Sequence, residues 1–234
     1  MPDTQSEELF LSADQLHLGL TTRCNLVCPF CARTQEKNRW FGSHNVDLDF
    51  ASYKKFFDEL DIETLLLCGN YGDPIFYPEL FELIQYMKDR DVKIKIHTNG
   101  TGHNNEWWDR LTKMLKWEDR IFFSIDGLEH NFTTYRKNAS WFKIMEHINT
   151  IIKNKDRPRL IWKYILFKYN ENNVLEAMDL CKKIGMDSFY LTDPFFPDHE
   201  EQEWKPSYTA TNYPLPYEVV KMYESNAVYV MYKT

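Results

Sequence analysis

The sequence lacks the features that mark membrane, secreted and nucleic-acid-binding proteins. It has no run close to the roughly 18 consecutive apolar residues of a membrane-spanning helix. Residues 1–15 show neither the basic nor the apolar segment of a signal peptide. Lysine and arginine number 28 against 35 aspartates and glutamates, and the net charge of −7 does not suit phosphate neutralisation. These absences predict a cytoplasmic protein with no membrane anchor and no nucleic-acid partner.

Cysteine is scarce and unevenly placed. There are five cysteines, and an odd number in a chain without a secretion signal does not suit a disulfide framework. Cys24, Cys28 and Cys31 fall within eight residues, which favours metal or redox chemistry. Cys68 and Cys181 stand alone, and each is expected to pack as a small hydrophobic side chain. A thiol on the substrate side of a site is the alternative for Cys68.

Apolar runs alternate with amphipathic segments along most of the 234 residues, which suffice for one sizeable domain. Strands are predicted over 15–21, 64–69, 92–100, 120–127, 159–167 and 187–193. Helices are predicted over 50–60, 78–90, 106–116, 140–154 and 173–185, with Ser140 as an N-cap and Gly185 at a helix end. This alternation predicts a parallel α/β sheet, either a partial barrel or a doubly wound sheet. In both architectures the ligand site lies at the carboxyl ends of the strands.

The alternation stops after residue 193. Residues 194–217 contain five prolines and several aromatic side chains, so an irregular segment is expected there. A short helix and a strand are expected over 218–232. We therefore divide the chain into a core of residues 1–193, with a tail of about 1–14, and a C-terminal segment, 194–234, that serves as a lid or edge cover.

The three clustered cysteines have the spacing C-x3-C-x2-C. Thiolates bind iron–sulfur clusters, which usually take four of them, so three protein ligands leave one iron open to a substrate. A zinc site completed by His17 or His44 is the first alternative, and free thiols are the second.

In its place after a strand, the loop CNLVCPFC resembles the cluster loop of the radical SAM superfamily, with Phe30 at that loop's aromatic position. The resemblance implies one 4Fe–4S cluster on Cys24, Cys28 and Cys31. It further implies that the open iron binds the amino and carboxylate groups of S-adenosylmethionine. Reductive cleavage then yields a 5′-deoxyadenosyl radical that abstracts hydrogen. The fold implied is a partial (β/α)6 barrel.

The other strand ends fit the same resemblance. GNYGDP, residues 69–74, is similar to the glycine-rich stretch that meets the methionine amino group, although Asp73 departs from a glutamate. HTNG and SIDG match the ends of the third and fourth strands, and Arg136 resembles the partner of the methionine carboxylate. The contacts to S-adenosylmethionine that the resemblance implies are Phe30, Gly69, Asn70, Tyr71, Gly72, Asp73, Thr98, Asn99, Ser124, Asp126, Arg136 and Leu191. Lys163 and Asn170 are weaker candidates on the substrate side.

No catalytic residue is assigned, and the substrate stays open. The GDP form of the glycine-rich stretch favours a peptide or protein substrate. A glycyl-radical-enzyme activase and a small-molecule or nucleoside enzyme are alternatives, and a metal-stabilised α/β binding module is the non-enzymatic one. The absence of further clustered cysteines predicts a single cluster. A flavodoxin-like or ferredoxin-like protein is the expected electron donor.

Overall fold

The computed structural model describes residues 11–35, 45–196, 202–215, 220–224 and 227–231. The strands are β1 Leu11–Leu18, β2 Leu60–Leu67, β3 Lys93–Thr98, β4 Arg120–Ser124, β5 Arg159–Ile165, β6 Ser188–Thr192, β7 Val220–Glu224 and β8 Ala227–Met231. The α-helices with full bounds are α1 Phe50–Asp58, α2 Leu80–Lys88, α3 Asn105–Met114, α4 Trp141–Ile152 and α5 Val174–Lys183.

The first six strands form a parallel sheet in sequence order. β1 pairs with β2, and each following strand pairs with its predecessor up to β6. The described strands have the order β1-β2-β3-β4-β5-β6-β8-β7, so the sheet is open, with β1 unpaired on one side. The partial (β/α)6 barrel predicted from the sequence is confirmed.

Alternation along each strand separates a helix-packed face from an inner face. In β3, Ile94 and Ile96 are fully buried in the core with the helices, while Lys93, Lys95 and His97 take the other side. Polar side chains on alternate positions therefore reach the concave face of the barrel, where the site lies.

Local signals set several helix ends as the sequence predicts. The Ser140 hydroxyl accepts a hydrogen bond from the backbone N–H of Lys143 at 3.4 Å and caps α4. Gly185 follows α5 with φ +86°, a left-handed conformation that glycine adopts without strain. Both predictions are confirmed.

The C-terminal residues differ from the sequence prediction. In place of a short helix and a strand, the chain forms two antiparallel strands, and β8 pairs with β6. Strand-forming residues, VKMYE before Ser225 and Asn226 and AVYVM after them, flank a two-residue polar segment, which is a hairpin pattern. No helix among the described residues is long and apolar enough to cross a membrane.

Candidate active site

A cavity of about 160 Å³ lies where the parallel strands end. It contains the thiols of Cys24, Cys28 and Cys31 together with groups from the loops after β2, β3 and β4. Its remaining lining residues are Leu26, Arg33, Cys68, Gly69, Gly72, Asp73, His97, Thr98, Asn99, Ser124, Arg136 and Lys163. The structure thus brings together three cysteines and most of the predicted contacts, although they are spread over more than a hundred residues of sequence.

Hydrogen bonds hold the cysteine loop, residues 24–31. Some come from side chains in or beside the loop, and others come from residues at the end of β3. Arg33 donates from Nε to the Thr22 carbonyl at 2.8 Å, which ties the two ends of the loop together. Asn25 donates from Nδ2 to Thr101 Oγ1 at 2.9 Å and accepts from Asn99 Nδ2 at 3.0 Å. These hydrogen bonds tie the loop to its own base and to the end of β3.

The thiols have surroundings that suit an iron–sulfur cluster. The backbone N–H of Leu26 lies 3.4 Å from Cys24 Sγ, and Asn99 Nδ2 lies 3.6 Å from the same sulfur. Arg136 Nη1 is 3.9 Å from Cys28 Sγ. Such N–H donors stabilise the negative charge of cluster thiolates. The donor set therefore fits the group that the cysteine spacing implies.

A single-ion site fits less well. Among the residues that the structure describes, no three His, Cys, Asp or Glu side chains are placed to hold one metal ion. His17, one proposed zinc ligand, has its Nε2 atom 2.5 Å from the Cys68 carbonyl oxygen. His44, the other, lies outside the described residues. Three thiols spaced around a cavity suit a cluster of several irons better than one zinc ion.

Burial raises the pKa of Cys24 to about 12 and also raises the pKa of Cys28. For Cys24 the nearby Asp73 acts in the same direction, whereas for Cys28 the cationic Arg136 opposes the shift. Metal-free thiols in these positions are protonated at neutral pH, so a metal bound by them would displace their protons.

The glycines after β2 are required by contacts within the protein. A Cβ on Gly72 would lie 2.1 Å from the Thr21 carbonyl oxygen and 2.9 Å from that of Arg23. A Cβ on Gly69 would lie 2.5 Å from the Gly72 carbonyl oxygen. Beside this close contact of Gly72 with residues 21–23, the Asp73 N–H donates a hydrogen bond to the Arg23 carbonyl at 2.8 Å. The glycine-rich stretch therefore packs directly against the start of the cysteine loop.

Asp73 connects the ends of β2 and β3. Its Oδ2 accepts from the Asn99 N–H at 2.7 Å and from Thr98 Oγ1 at 3.1 Å, and its Oδ1 accepts from the Ile75 N–H at 3.3 Å. Burial raises the pKa of the Asp73 carboxyl to about 6, and these hydrogen bonds oppose the shift. Asp73 is thus both a lining residue and a structural connection between two loops.

Arg136 and Asp126 form a buried ion pair behind the cysteine loop. Arg136 Nε lies 2.6 Å from Asp126 Oδ2, with side-chain exposures of 14% and 0%. Asp126 Oδ1 also accepts from the Ile165 N–H at 2.7 Å. Burial disfavours the charge on Arg136, but the neighbouring Asp126 carboxylate raises its pKa well above the usual value. Arg136 is therefore a fixed cation beside Cys28.

Phe30 takes part in an aromatic cluster beside the cavity and does not line it. Its ring centroid lies 5.1 Å from that of Trp204, 5.4 Å from that of Phe196 and 6.1 Å from that of Tyr135. Phe167 also belongs to this group. We call Phe30, Tyr135, Phe167, Phe196 and Trp204 the aromatic cap. It joins the cysteine loop to the C-terminal segment.

Four further predicted residues also lie outside the cavity, and one of them is Asp126, the partner of Arg136. Asn70 and Tyr71 line an adjoining space of about 590 Å³, which shares Cys68 and Gly69 with the first cavity. Leu191 is fully buried in the main core, because Tyr190 and Thr192 take the opposite face of β6. The structure therefore does not bring Leu191 to the site.

Of the weaker candidates, Lys163 lines the cavity and Asn170 does not. Asn170 is buried and donates from Nδ2 to the carbonyls of Ile165, at 2.9 Å, and Asp126, at 3.2 Å. It therefore stabilises the turn after β5.

Sequence reasoning missed three lining residues. Arg33 lies two residues beyond the last clustered cysteine, and Leu26 lies between the first two. His97 precedes Thr98 in the predicted strand end HTNG and takes the same strand face as Lys95. Its alternation with Ile94 and Ile96 was the signal for an inward position.

Comparisons with known proteins agree with this geometry. The family model described as "Radical SAM superfamily" matches residues 18–209. The tungsten-containing aldehyde ferredoxin oxidoreductase cofactor-modifying protein of Pyrococcus furiosus is 24% identical over 188 residues, which are 76% of this chain and 51% of the relative. The GTP 3′,8-cyclase of Syntrophomonas wolfei is 26% identical over 196 residues, which are 81% and 57%. The chain spans about half the length of the curated relatives it matches.

Solved structures share the fold. SuiB of Streptococcus suis bound to S-adenosylmethionine aligns with a TM-score of 0.63 at 14% identity, covering 84% of this chain and 41% of SuiB. SuiB bound to precursor peptide SuiA aligns with a TM-score of 0.61 at 14% identity, covering 77% and 39%. A family model that covers most of the chain, and three clustered thiols at the ends of six parallel strands, lead to one conclusion: the chain belongs to the radical SAM superfamily and is an enzyme of that family.

Proposed function

We propose that Cys24, Cys28 and Cys31 hold one 4Fe–4S cluster and that S-adenosylmethionine binds beside it, against the loops after β2, β3 and β4. The observation that carries this proposal is the shared cavity, in which the three thiols meet Arg136 and Asn99. When the cluster and S-adenosylmethionine are both bound, they supply the reductive cleavage of S-adenosylmethionine and, from it, a radical that abstracts hydrogen.

The roles proposed for the protein groups follow from their chemistry. Arg136 and the Ser124 hydroxyl both line the cavity and offer the N–H and O–H donors that a methionine carboxylate requires. Asp73 and the backbone around Gly69 offer acceptors for the methionine amino group. Asp126 acts through Arg136 and orients its guanidinium.

The test is anaerobic reconstitution with iron and sulfide, followed by addition of dithionite and S-adenosylmethionine. We expect 5′-deoxyadenosine and methionine in a chromatographic assay, and none from Cys28→Ala. Cys181→Ala is the matched control, because Cys181 is buried in the main core. Absence of 5′-deoxyadenosine from a fully loaded wild-type protein would refute the proposal.

For the substrate we propose a peptide or protein, with electrons supplied by a flavodoxin-like or ferredoxin-like donor. The supporting observation is the GNYGDP stretch, whose Gly72 and Asp73 lie in the cavity wall. Detection of a mass change in a short peptide encoded beside this gene, dependent on S-adenosylmethionine and reductant, is the test. Unchanged peptide under conditions that release 5′-deoxyadenosine would contradict it.

The curated relatives favour a second candidate, a small-molecule substrate, because their names include a GTP cyclase and a cofactor-modifying protein. Incubation with GTP distinguishes the two. Nucleotide consumption that requires S-adenosylmethionine supports the small-molecule candidate.

A further inference from the structure

Lys163 is a partly buried basic residue of the inner face, and it forms no ion pair with a carboxylate of the described residues. It lies on β5, beside Ser124 of β4 in the sheet register, and it lines the cavity that contains the clustered cysteines. Its Nζ atom is 3.4 Å from Nδ1 of His97 on β3. None of the ion pairs among the described residues includes Lys163. Burial lowers the pKa of the Lys163 ammonium group, and an anion from outside the protein would stabilise its charged form.

The nearest carboxylates of the site are already engaged. Asp73 accepts hydrogen bonds from Asn99, Thr98 and Ile75. Asp126 is paired with Arg136. Neither carboxylate makes a hydrogen bond or ion pair with Lys163 in the described structure.

His97 adds a second donor to the same region. Burial, with the charge of Lys163 acting in the same direction, lowers the pKa of His97 well below its usual value, so the ring is neutral near pH 7. A neutral imidazole that accepts from an ammonium group at Nδ1 carries its own proton on Nε2. The ring lies 4.1 Å from the Phe122 ring, centroid to centroid, which limits its movement.

We infer that Lys163 and His97 form an anion-binding subsite that receives a carboxylate or phosphate group of the substrate. This inference rests on the proposed function, since it assigns a role within the same cavity. Anchoring the anion fixes one end of the substrate and so orients the remainder beside the cysteine loop.

The two cations of the cavity have different neighbours. Arg136 is within 3.9 Å of the Cys28 thiol, whereas the hydrogen bond of Lys163 is to His97. We therefore assign the methionine carboxylate to Arg136 and the substrate anion to Lys163. The substrate class implied is one that carries a negative charge, either an acidic peptide group or a phosphorylated small molecule.

The subsite can be tested before the substrate is known, with inorganic phosphate and acetate as probes. Both are titrated into the cluster-loaded protein saturated with S-adenosylmethionine, and dissociation constants are taken from ³¹P and ¹H line widths. We expect at least one anion to bind, Lys163→Met to weaken that binding by at least tenfold, and Lys163→Arg to retain it within fivefold. Tighter phosphate binding favours a phosphorylated substrate, and tighter acetate binding favours a carboxylate.

Lys95→Met is the matched control. Lys95 lies on the same face of β3 as His97, but its Nζ already donates to Gln15 Oε1 at 2.7 Å. The loss of Lys95 should therefore leave anion binding within twofold of wild type. Equal anion binding by wild type and Lys163→Met overturns the inference, as does failure of both anions to bind wild type. Weaker S-adenosylmethionine binding by Lys163→Met also overturns it, since Lys163 then serves the cofactor.

Release of 5′-deoxyadenosine, measured on the same samples, keeps the two proposals apart. Normal release without anion binding refutes only the subsite. No release from the loaded wild type refutes the proposed function instead.

Discussion

Arg136 donates from Nε to Oδ2 of Asp126 across 2.6 Å, and its Nη1 atom reaches the Cys28 sulfur at 3.9 Å. One guanidinium thus connects the loop after β4 to the cysteine loop. A lysine has a single terminal nitrogen and cannot reproduce this forked arrangement.

Arg136→Lys is therefore expected to weaken S-adenosylmethionine binding at least tenfold, measured by equilibrium dialysis of the loaded protein.

Asp126→Ala leaves a buried cation unpaired and should lower the free energy of unfolding by about 3–5 kcal/mol in urea denaturation. Lys113→Ala, which removes an exposed i,i+4 pair with Asp109, is the control and should change stability by less than about 0.5 kcal/mol. Wild-type stability in Asp126→Ala would contradict the importance of the buried pair.

Substitution of Gly72 tests the contact between the glycine-rich stretch and the cysteine loop. Gly72→Ala places a methyl group 2.1 Å from the Thr21 carbonyl oxygen, so one of the two backbones must move. We expect the iron bound after reconstitution to fall by more than half. Gly19→Ala is the matched control, because its methyl group would meet nothing within 4 Å, and it should bind iron normally. Equal iron contents would show that the loops adjust without loss.

The cysteines differ in their expected effect on iron content. Ala at Cys24, Cys28 or Cys31 should lower iron from about four atoms per chain to one or fewer and abolish the brown colour of the cluster. Cys68→Ala should keep both, although Cys68 lines the same cavity. Loss of iron in Cys68→Ala would make that thiol a fourth ligand and would close the iron that we expect to be open.

The raised pKa of Asp73 predicts a pH dependence of stability. Its folded-state pKa is about 6 against 3.8 for the ordinary carboxyl, so the folded state binds this proton more tightly than the unfolded state. The stabilisation is complete below about pH 4 and is lost as the pH rises through 6. Between pH 5 and pH 8 the wild type should lose about 1 kcal/mol relative to Asp73→Asn.

Urea denaturation of both proteins without a cluster, at matched ionic strength, measures this difference in the free energy of unfolding. Parallel pH profiles would show that Asp73 is not the titrating group. The isosteric amide is the suitable comparison, because it retains one oxygen as a hydrogen-bond acceptor.

The aromatic cap predicts that the C-terminal segment protects the cluster loop. Trp204→Ala removes contacts with Phe30, Phe167 and Tyr135 and should lower stability by about 2–4 kcal/mol. It should also speed bleaching of the cluster in air several-fold, followed at visible wavelengths. Trp117→Ala, at a residue that is 57% exposed, is the control and should match the wild type in both measurements.

The sequence allowed prediction of the six parallel strands and of most of the cavity wall. Apolar runs located the strands, and the residues after each strand then had to meet at one end of the sheet. Gly69, Asp73, Asn99 and Ser124 reach the cavity for this reason. Local signals of this kind depend only on neighbouring residues.

The failures have physical reasons. In SFYLT, residues 188–192, nearly every side chain is apolar or small, so the sequence does not show which residues face inward, and Leu191 was assigned to the wrong face. The contact of Phe30 with Trp204 joins residues far apart in the chain, and no short-range pattern indicates it. His97 was overlooked because the site was sought in the residues after each strand, whereas His97 lies within β3 and is marked only by its alternation with Ile94 and Ile96.

The way the cysteine loop is held has a consequence for biosynthesis. The loop occupies residues 24–31, yet its bonds reach Thr101, 76 positions beyond Asn25, and Arg136, 108 positions beyond Cys28. A ribosome delivers the ligand cysteines long before it delivers the residues that fix them. The cysteine loop therefore gains its supporting contacts only after the first four strands and Arg136 have been synthesised and have assembled.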